Sequence, residues 1–155
     1  MSCTSEDWTI GIKIARQPYK MNLFIYGTLM VPKIWDTVTL CPDPVSIPGE
    51  LFHHRIQRVK HGDFPAVVAD PESPSPIPGL VIQNVSVAAL DRLDQYEDEF
   101  YERVSVSIIT EKSTIEAQVY RVPLELANEI LSTDLWSLEW FEEEALERYW
   151  NRLFA

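Results

Sequence analysis

The stretch Asn22-Leu23-Phe24-Ile25-Tyr26-Gly27-Thr28-Leu29 constrains this chain more than any other. A short apolar and aromatic run closed by a glycine predicts a strand. The glycine permits a sharp turn, with the expectation of a positive φ there, and Thr28 stands where a helix would begin. Successive backbone N–H groups at such a turn converge on one place, which suits an anion. Taken alone, the segment is an ordinary strand-to-helix connection. It gains meaning from a second segment, Leu93-Asp94-Gln95-Tyr96-Glu97, which offers a carboxylate to act on whatever the turn holds.

Around these two segments the chain reads as one domain. Its 155 residues are enough to bury a core, and 46% hydrophobic with 24% charged residues is ordinary for a globular protein. Residues 1–20 read as an N-terminal arm, and 21–155 as the domain proper, with Met21 opening the first strand. Residues 30–40, with Pro32 early, predict a short helix. Val45 to Gln57 predicts extended structure interrupted at Pro48-Gly49, and Phe64 to Ala69 and Gly79 to Val85 predict strands. Ser86 is a good N-cap for a helix running to about Glu97. Val104, Val106 and Ile108 alternate in phase within Tyr101 to Thr110, and Ile115 to Val122 follows across a turn at residues 111–114, a hairpin pattern. Leu135 to Phe154 predicts a helix. Leu138, Phe141, Ala145, Tyr149 and Leu153 recur on one face, read as core, with Glu142 to Glu144 early and Arg148 and Arg152 late, as the helix dipole prefers. Short strands with helices between and after them give an α+β fold, its sheet curled into a small mixed β-barrel with flanking helices.

Composition excludes some functions. A formal charge of −11 argues against nucleic acid and anionic membranes as partners. No apolar run approaches the ~20 residues of a membrane span, and the first residues lack the apolar region of a signal peptide. Cys3 and Cys41 are too few for a disulfide framework, so a reduced, cytoplasmic setting is expected. His53-His54, His61 and Asp63 do not make a metal site, because adjacent residues on a strand point to opposite faces. Asp94 and Glu97 lie one helical turn apart, whereas glycoside hydrolysis needs carboxyls facing each other across a cleft.

Glu97 is the candidate for chemistry. Leu90, Leu93 and Glu97 share a helix face, so the carboxylate would end the stripe that meets the core, where partial burial raises its pKa. Such a group is suited to proton transfer near neutrality. The plainer reading is a helix end in the solvated acidic run with Asp98 and Glu99.

With Phe64-Pro65-Ala66-Val67-Val68, Pro78-Gly79-Leu80-Val81, Tyr101-Glu102-Arg103-Val104, Tyr120 and the tail Trp140-Phe141-Glu142-Glu143, these residues resemble the γ-glutamylcyclotransferase-like family, in the branch of plant avirulence-induced proteins and their bacterial relatives. The resemblance runs over about residues 21–153. It implies a small β-barrel with flanking helices and a cyclisation: the free α-amine of a γ-glutamyl group attacks the γ-carbonyl, releasing 5-oxoproline and an amine or amino acid. On this sequence it implies Tyr26, Gly27, Thr28 and Leu29 as the glutamyl-binding turn, Glu97 as general acid/base and Tyr120 as a substrate hydrogen-bonding residue. No metal or other cofactor is implied, and the partner is a small-molecule γ-glutamyl compound. Met30-Val31-Pro32 departs from the basic residue and glycine usual in the glutamylamine branch, which implies a different substrate choice. The alternative is a non-catalytic small-molecule binding protein using the same pocket.

Overall fold

The computed structural model describes residues 21–155, so the arm expected at residues 1–20 lies outside the described residues. Five strands close a barrel in the order β1 (Met21–Ile25), β5 (Ile77–Val85), β2 (Ser46–Leu51), β6 (Glu102–Ile109) and β7 (Thr114–Arg121). The remaining two, β3 (His54–Arg58) and β4 (Pro65–Ala69), form a separate antiparallel hairpin. The barrel is mixed, as expected: β1 runs antiparallel to β5 and parallel to β7.

The barrel consists of two well-zipped pieces. β5 pairs along most of its length with β1 and β2, and β6 pairs with β7 over eight positions from Glu102↔Arg121 to Ile109↔Thr114. Each seam between the pieces carries one bridge, Glu50↔Ile109 on one side and Leu23↔Gln118 on the other. Inside the barrel Phe24, Leu51, Val81, Ile108 and Val119 are almost fully buried, each side chain worth roughly 1.5–3 kcal/mol of transfer free energy. Gly49 and Gly79 pair with each other in the β2–β5 ladder. A Cβ on Gly79 would lie 2.3 Å from the Ile25 carbonyl oxygen and 2.6 Å from the Phe24 ring, so the glycine admits that ring to the interior.

The expected interruption at Pro48-Gly49 does not occur. β2 continues through both residues because Pro48 sits where the strand has a ladder partner on one side only, a position that tolerates a missing N–H. The break falls instead at Phe52-His53, where His53 takes φ 63° and the chain passes from the barrel to the hairpin.

Helix α1 (Pro32–Thr39) opens on proline and ends with Leu40 in the left-handed conformation. Helix α2 (Val87–Tyr96) is capped by Ser86, whose hydroxyl accepts from the Ala89 N–H at 3.1 Å. Leu90 and Leu93 of α2 pack with Ile34 and Trp35 of α1 in the main core outside the barrel. A short α3 (Ala127–Ile130) covers the β3–β4 hairpin together with Leu131.

The C-terminal helix starts later than the sequence pattern suggests. Leu135 lies outside it, 83% exposed, and the helix runs as α4 (Leu138–Trp140), a π-turn (Phe141–Ala145) and α5 (Leu146–Leu153). Phe141, Ala145 and Tyr149 are its buried face. Among the described residues no helix is long and apolar enough to cross a membrane.

Candidate functional site

β1 delivers its last residues to one end of the barrel. Beyond Ile25 the chain turns at Gly27 and enters a 3₁₀ turn, Thr28–Met30. The first bond of that turn runs from Met30 N–H to the Gly27 carbonyl, at 2.9 Å. The amides of Thr28 and Leu29 precede it and, like the leading N–H groups of any helix, have no acceptor within the turn.

Gly27 has φ −122°, not the positive value expected from the sequence. The requirement for glycine is one of space. A Cβ there would stand 2.9 Å from Cγ and 3.1 Å from Cδ of Pro65. Pro65 is held in turn by Tyr101, whose hydroxyl donates to its carbonyl at 2.6 Å.

Helix α2 ends at Tyr96, and Glu97 is its C-cap in extended geometry (φ −77°, ψ 146°). Glu97 therefore leaves the helix instead of extending its apolar face, a correction to the sequence reading. Its amide still bonds to the Leu93 carbonyl at 3.0 Å, which anchors the residue while the side chain turns inward. Burial, reinforced by the negative charges of Asp98 and Asp94, pushes the carboxyl from 4.5 up to about 8. Among the described residues no hydrogen-bond or ion-pair partner stands against that carboxyl.

The residues singled out from sequence come together. Tyr26, Gly27, Thr28, Leu29, Glu97 and Tyr120 all line one cavity of about 210 Å³. Tyr26 donates its hydroxyl proton to the Tyr120 carbonyl at 2.7 Å, joining the ends of β1 and β7. Burial raises the ionisation of both phenols, so both stay neutral hydroxyls. The Tyr120 hydroxyl donates to Asp94 Oδ1 at 2.6 Å; with its proton so placed, it offers the cavity lone pairs and not a donor.

Further wall residues escaped the sequence reading, four of them bearing a hydroxyl or a positive charge. Tyr96 and Tyr149 join Thr28 in a hydroxyl chain: Thr28 Oγ1 lies 2.8 Å from Tyr96 Oη, which contacts Tyr149 Oη. Tyr101 and Arg152 complete this group of lining residues. Tyr149 was legible only as an apolar stripe position; the signal available was that a buried tyrosine needs a partner for its hydroxyl. The histidines take other roles. His54 is buried with Nδ1 on the Phe52 carbonyl and Nε2 on Arg121, and among the described residues no group of three or more His, Cys, Asp or Glu could hold a metal ion.

A protein-family model described as Gamma-glutamyl cyclotransferase, AIG2-like matches residues 23–140. The chain is 29% identical over 107 residues to Protein AIG2 C of Arabidopsis thaliana, covering 66% of this chain and 63% of that protein. It is 30% identical over 93 residues to AIG2-like protein A of the same plant, with coverages of 60% and 54%. It thus spans less than two thirds of the length of these curated relatives. Among solved structures, a solution structure from Arabidopsis thaliana superposes with a TM-score of 0.65 at 20% identity, over 90% of this chain and 82% of the other. A structure named Gamma-glutamyl cyclotransferase gives 0.58 at 14% identity, over 67% of each chain. At these identities the structural likeness speaks to the fold.

Proposed function

Because the chain belongs to the gamma-glutamyl cyclotransferase, AIG2-like family, we propose that it is a cofactor-independent cyclotransferase acting on a γ-glutamyl amine or amide, with Glu97 as general acid and base. The observation that carries this reading is the Glu97 carboxyl, without a partner among the described residues and raised to about 8, in the same cavity as the opening amides of the Thr28 turn.

In the reaction the α-ammonium gives one proton to Glu97, the α-nitrogen bonds to the γ-carbonyl carbon and sheds its second proton to solvent, and the bond from that carbon to the departing nitrogen breaks. The protonated Glu97 then returns its proton to the leaving amine. An ordinary glutamate at ~4.3 would face an α-amine at ~8, a gap of roughly 4 units or about 5 kcal/mol. A carboxyl at about 8 closes that gap. The turn's amides hold the glutamyl carboxylate, and Tyr120, an acceptor toward the cavity, suits the ammonium. Because ring closure is intramolecular, holding the glutamyl chain folded supplies much of the remaining advantage. A protein that only bound the same compound would gain nothing from an acid matched to the amine.

The test is 5-oxoproline release from a panel of γ-glutamyl amines and amino acids. Glu97→Gln should retain the fold and ligand binding while losing at least ~10²-fold in turnover. Normal turnover by that variant would remove Glu97 from the mechanism. Undiminished binding without turnover in either protein would favour the pure binder.

A further inference from the structure

Behind Tyr120 lies a set of polar contacts for which the proposed reaction has no use. Arg103 grips the Asp94 carboxylate with Nε at 2.9 Å and Nη2 at 3.1 Å, while Tyr120 donates to Oδ1 of the same group. Arg103 Nη1 also reaches Gln118 Oε1 at 3.1 Å, and Gln118 Nε2 donates to Ser105 Oγ at 2.7 Å. These contacts tie α2 to both strands of the β6–β7 hairpin. They line a second cavity, of about 630 Å³, whose lining shares Glu97, Asp98, Tyr101 and Tyr120 with the first.

A tyrosine hydroxyl carries one proton. Given to Asp94, it is withheld from Glu97, the carboxyl on the shared wall that has no partner among the described residues. Donation to Glu97 would stabilise its charged form and pull its ionisation downward. Asp94 opposes that ionisation twice, by its own negative charge and by holding the Tyr120 proton away. Arg103 fixes the carboxylate in the orientation that does both.

We propose that Asp94 and Arg103 are a positioning pair that keeps Tyr120 an acceptor toward the cavity and so sets the pH range over which Glu97 is charged. The proposal rests on the reading of Glu97 as acid and base, and deepens it. Other groups also face Glu97: Asp98 and Tyr101 from the α2–β6 connection, Tyr96 from α2, Tyr26 from the end of β1, and Tyr149 and Arg152 from the C-terminal helix. Asp94 differs from them in that its carboxylate both carries a charge and accepts a hydrogen bond from a residue of the shared wall.

The ionisation of Glu97 can be read without turnover, from the side-chain carboxyl resonance in ¹³C-glutamate-labelled protein, assigned by its loss in Glu97→Gln. Asp94→Ala removes charge and acceptor together, and the Glu97 midpoint should fall by roughly 1 unit. Asp94→Asn keeps an acceptor for Tyr120, and the fall should be about half as large. Tyr120→Phe alone should leave the midpoint within ~0.3 unit, yet in the Asp94→Ala background it should reverse part of the fall, a non-additivity that marks the freed hydroxyl. Falls below ~0.3 unit in both Asp94 variants, or strict additivity in the double variant, would overturn the proposal. If the midpoints move as stated but no γ-glutamyl compound yields 5-oxoproline, the pair stands and the proposed function fails. If turnover is present and the midpoints stay put, the function stands and the pair fails.

Discussion

Gly27 shows how a missing side chain can be a site's main requirement. Its φ is negative, not the positive value a glycine turn suggests, and the Pro65 ring fills the space a Cβ would take. Gly27→Val should therefore cost roughly 1–3 kcal/mol in urea unfolding through overpacking, and should weaken γ-glutamyl ligand binding by pushing the turn away from Pro65. Unchanged calorimetric affinity in the variant would detach the turn from ligand recognition. Glu97 makes a second prediction at this scale. Its folded-state pKa, about 8, lies above its ordinary 4.5, so the folded protein holds the extra proton across that window. Stability conferred below 4.5 is lost as pH rises through about 8, at no more than ~1.4 kcal/mol per unit from this group. Urea midpoints should fall less steeply with pH over that interval in Glu97→Gln than in the parent. Both residues stood out in the sequence by local signals, a strand-closing glycine and a helix-end carboxylate. What gives each its place, the Pro65 ring and burial in the cavity, is not local. The tyrosine hydroxyls were not legible, because the partners of Tyr96, Tyr101 and Tyr149 come from distant parts of the chain.

At the scale of elements, the C-terminal helix departs most from its sequence pattern. Spacings of three and four marked the face that packs, and Phe141, Ala145 and Tyr149 are indeed buried. What periodicity could not register is the π-turn, where Leu146 N–H bonds to the Phe141 carbonyl five residues back. The extra residue turns the following helix by about a quarter-turn or more relative to a regular path, and that rotation brings Tyr149 to Tyr96. Arg148, readable as a charge complementing the helix end, reaches across instead to Asp63 with two hydrogen bonds, at 3.0 and 2.7 Å. Deleting Glu143, an exposed residue of the turn, should restore regular pitch and rotate α5. Tyr149 would leave the cavity, and binding of a γ-glutamyl ligand should weaken by roughly tenfold or more while the barrel's near-ultraviolet dichroism persists. Retained affinity would mean the tyrosine chain is structural only. Strand boundaries show a related limit. Pro48 reads as a breaker, and only the sheet's pairing reveals that its side of β2 has no ladder to break.

At the scale of the molecule, the barrel's two pieces meet at single-bridge seams, and the candidate site straddles one of them. The Gly27–Leu29 turn follows β1, on one piece, while Tyr120 belongs to β7, on the other. A ligand gripped by both would act as a clasp across a loosely fastened edge. Amides near Leu23 and Gln118 should therefore exchange with deuterium faster than those of the β6–β7 ladder in the free protein, and should slow most when the cavity fills. Equal protection at seam and ladder, with or without ligand, would show the edge to be as firm as the rest. Where it is not, the barrel carries its own gauge of occupancy: breathing at one edge reports, far from any catalytic event, whether the two sides of the cavity are being held together.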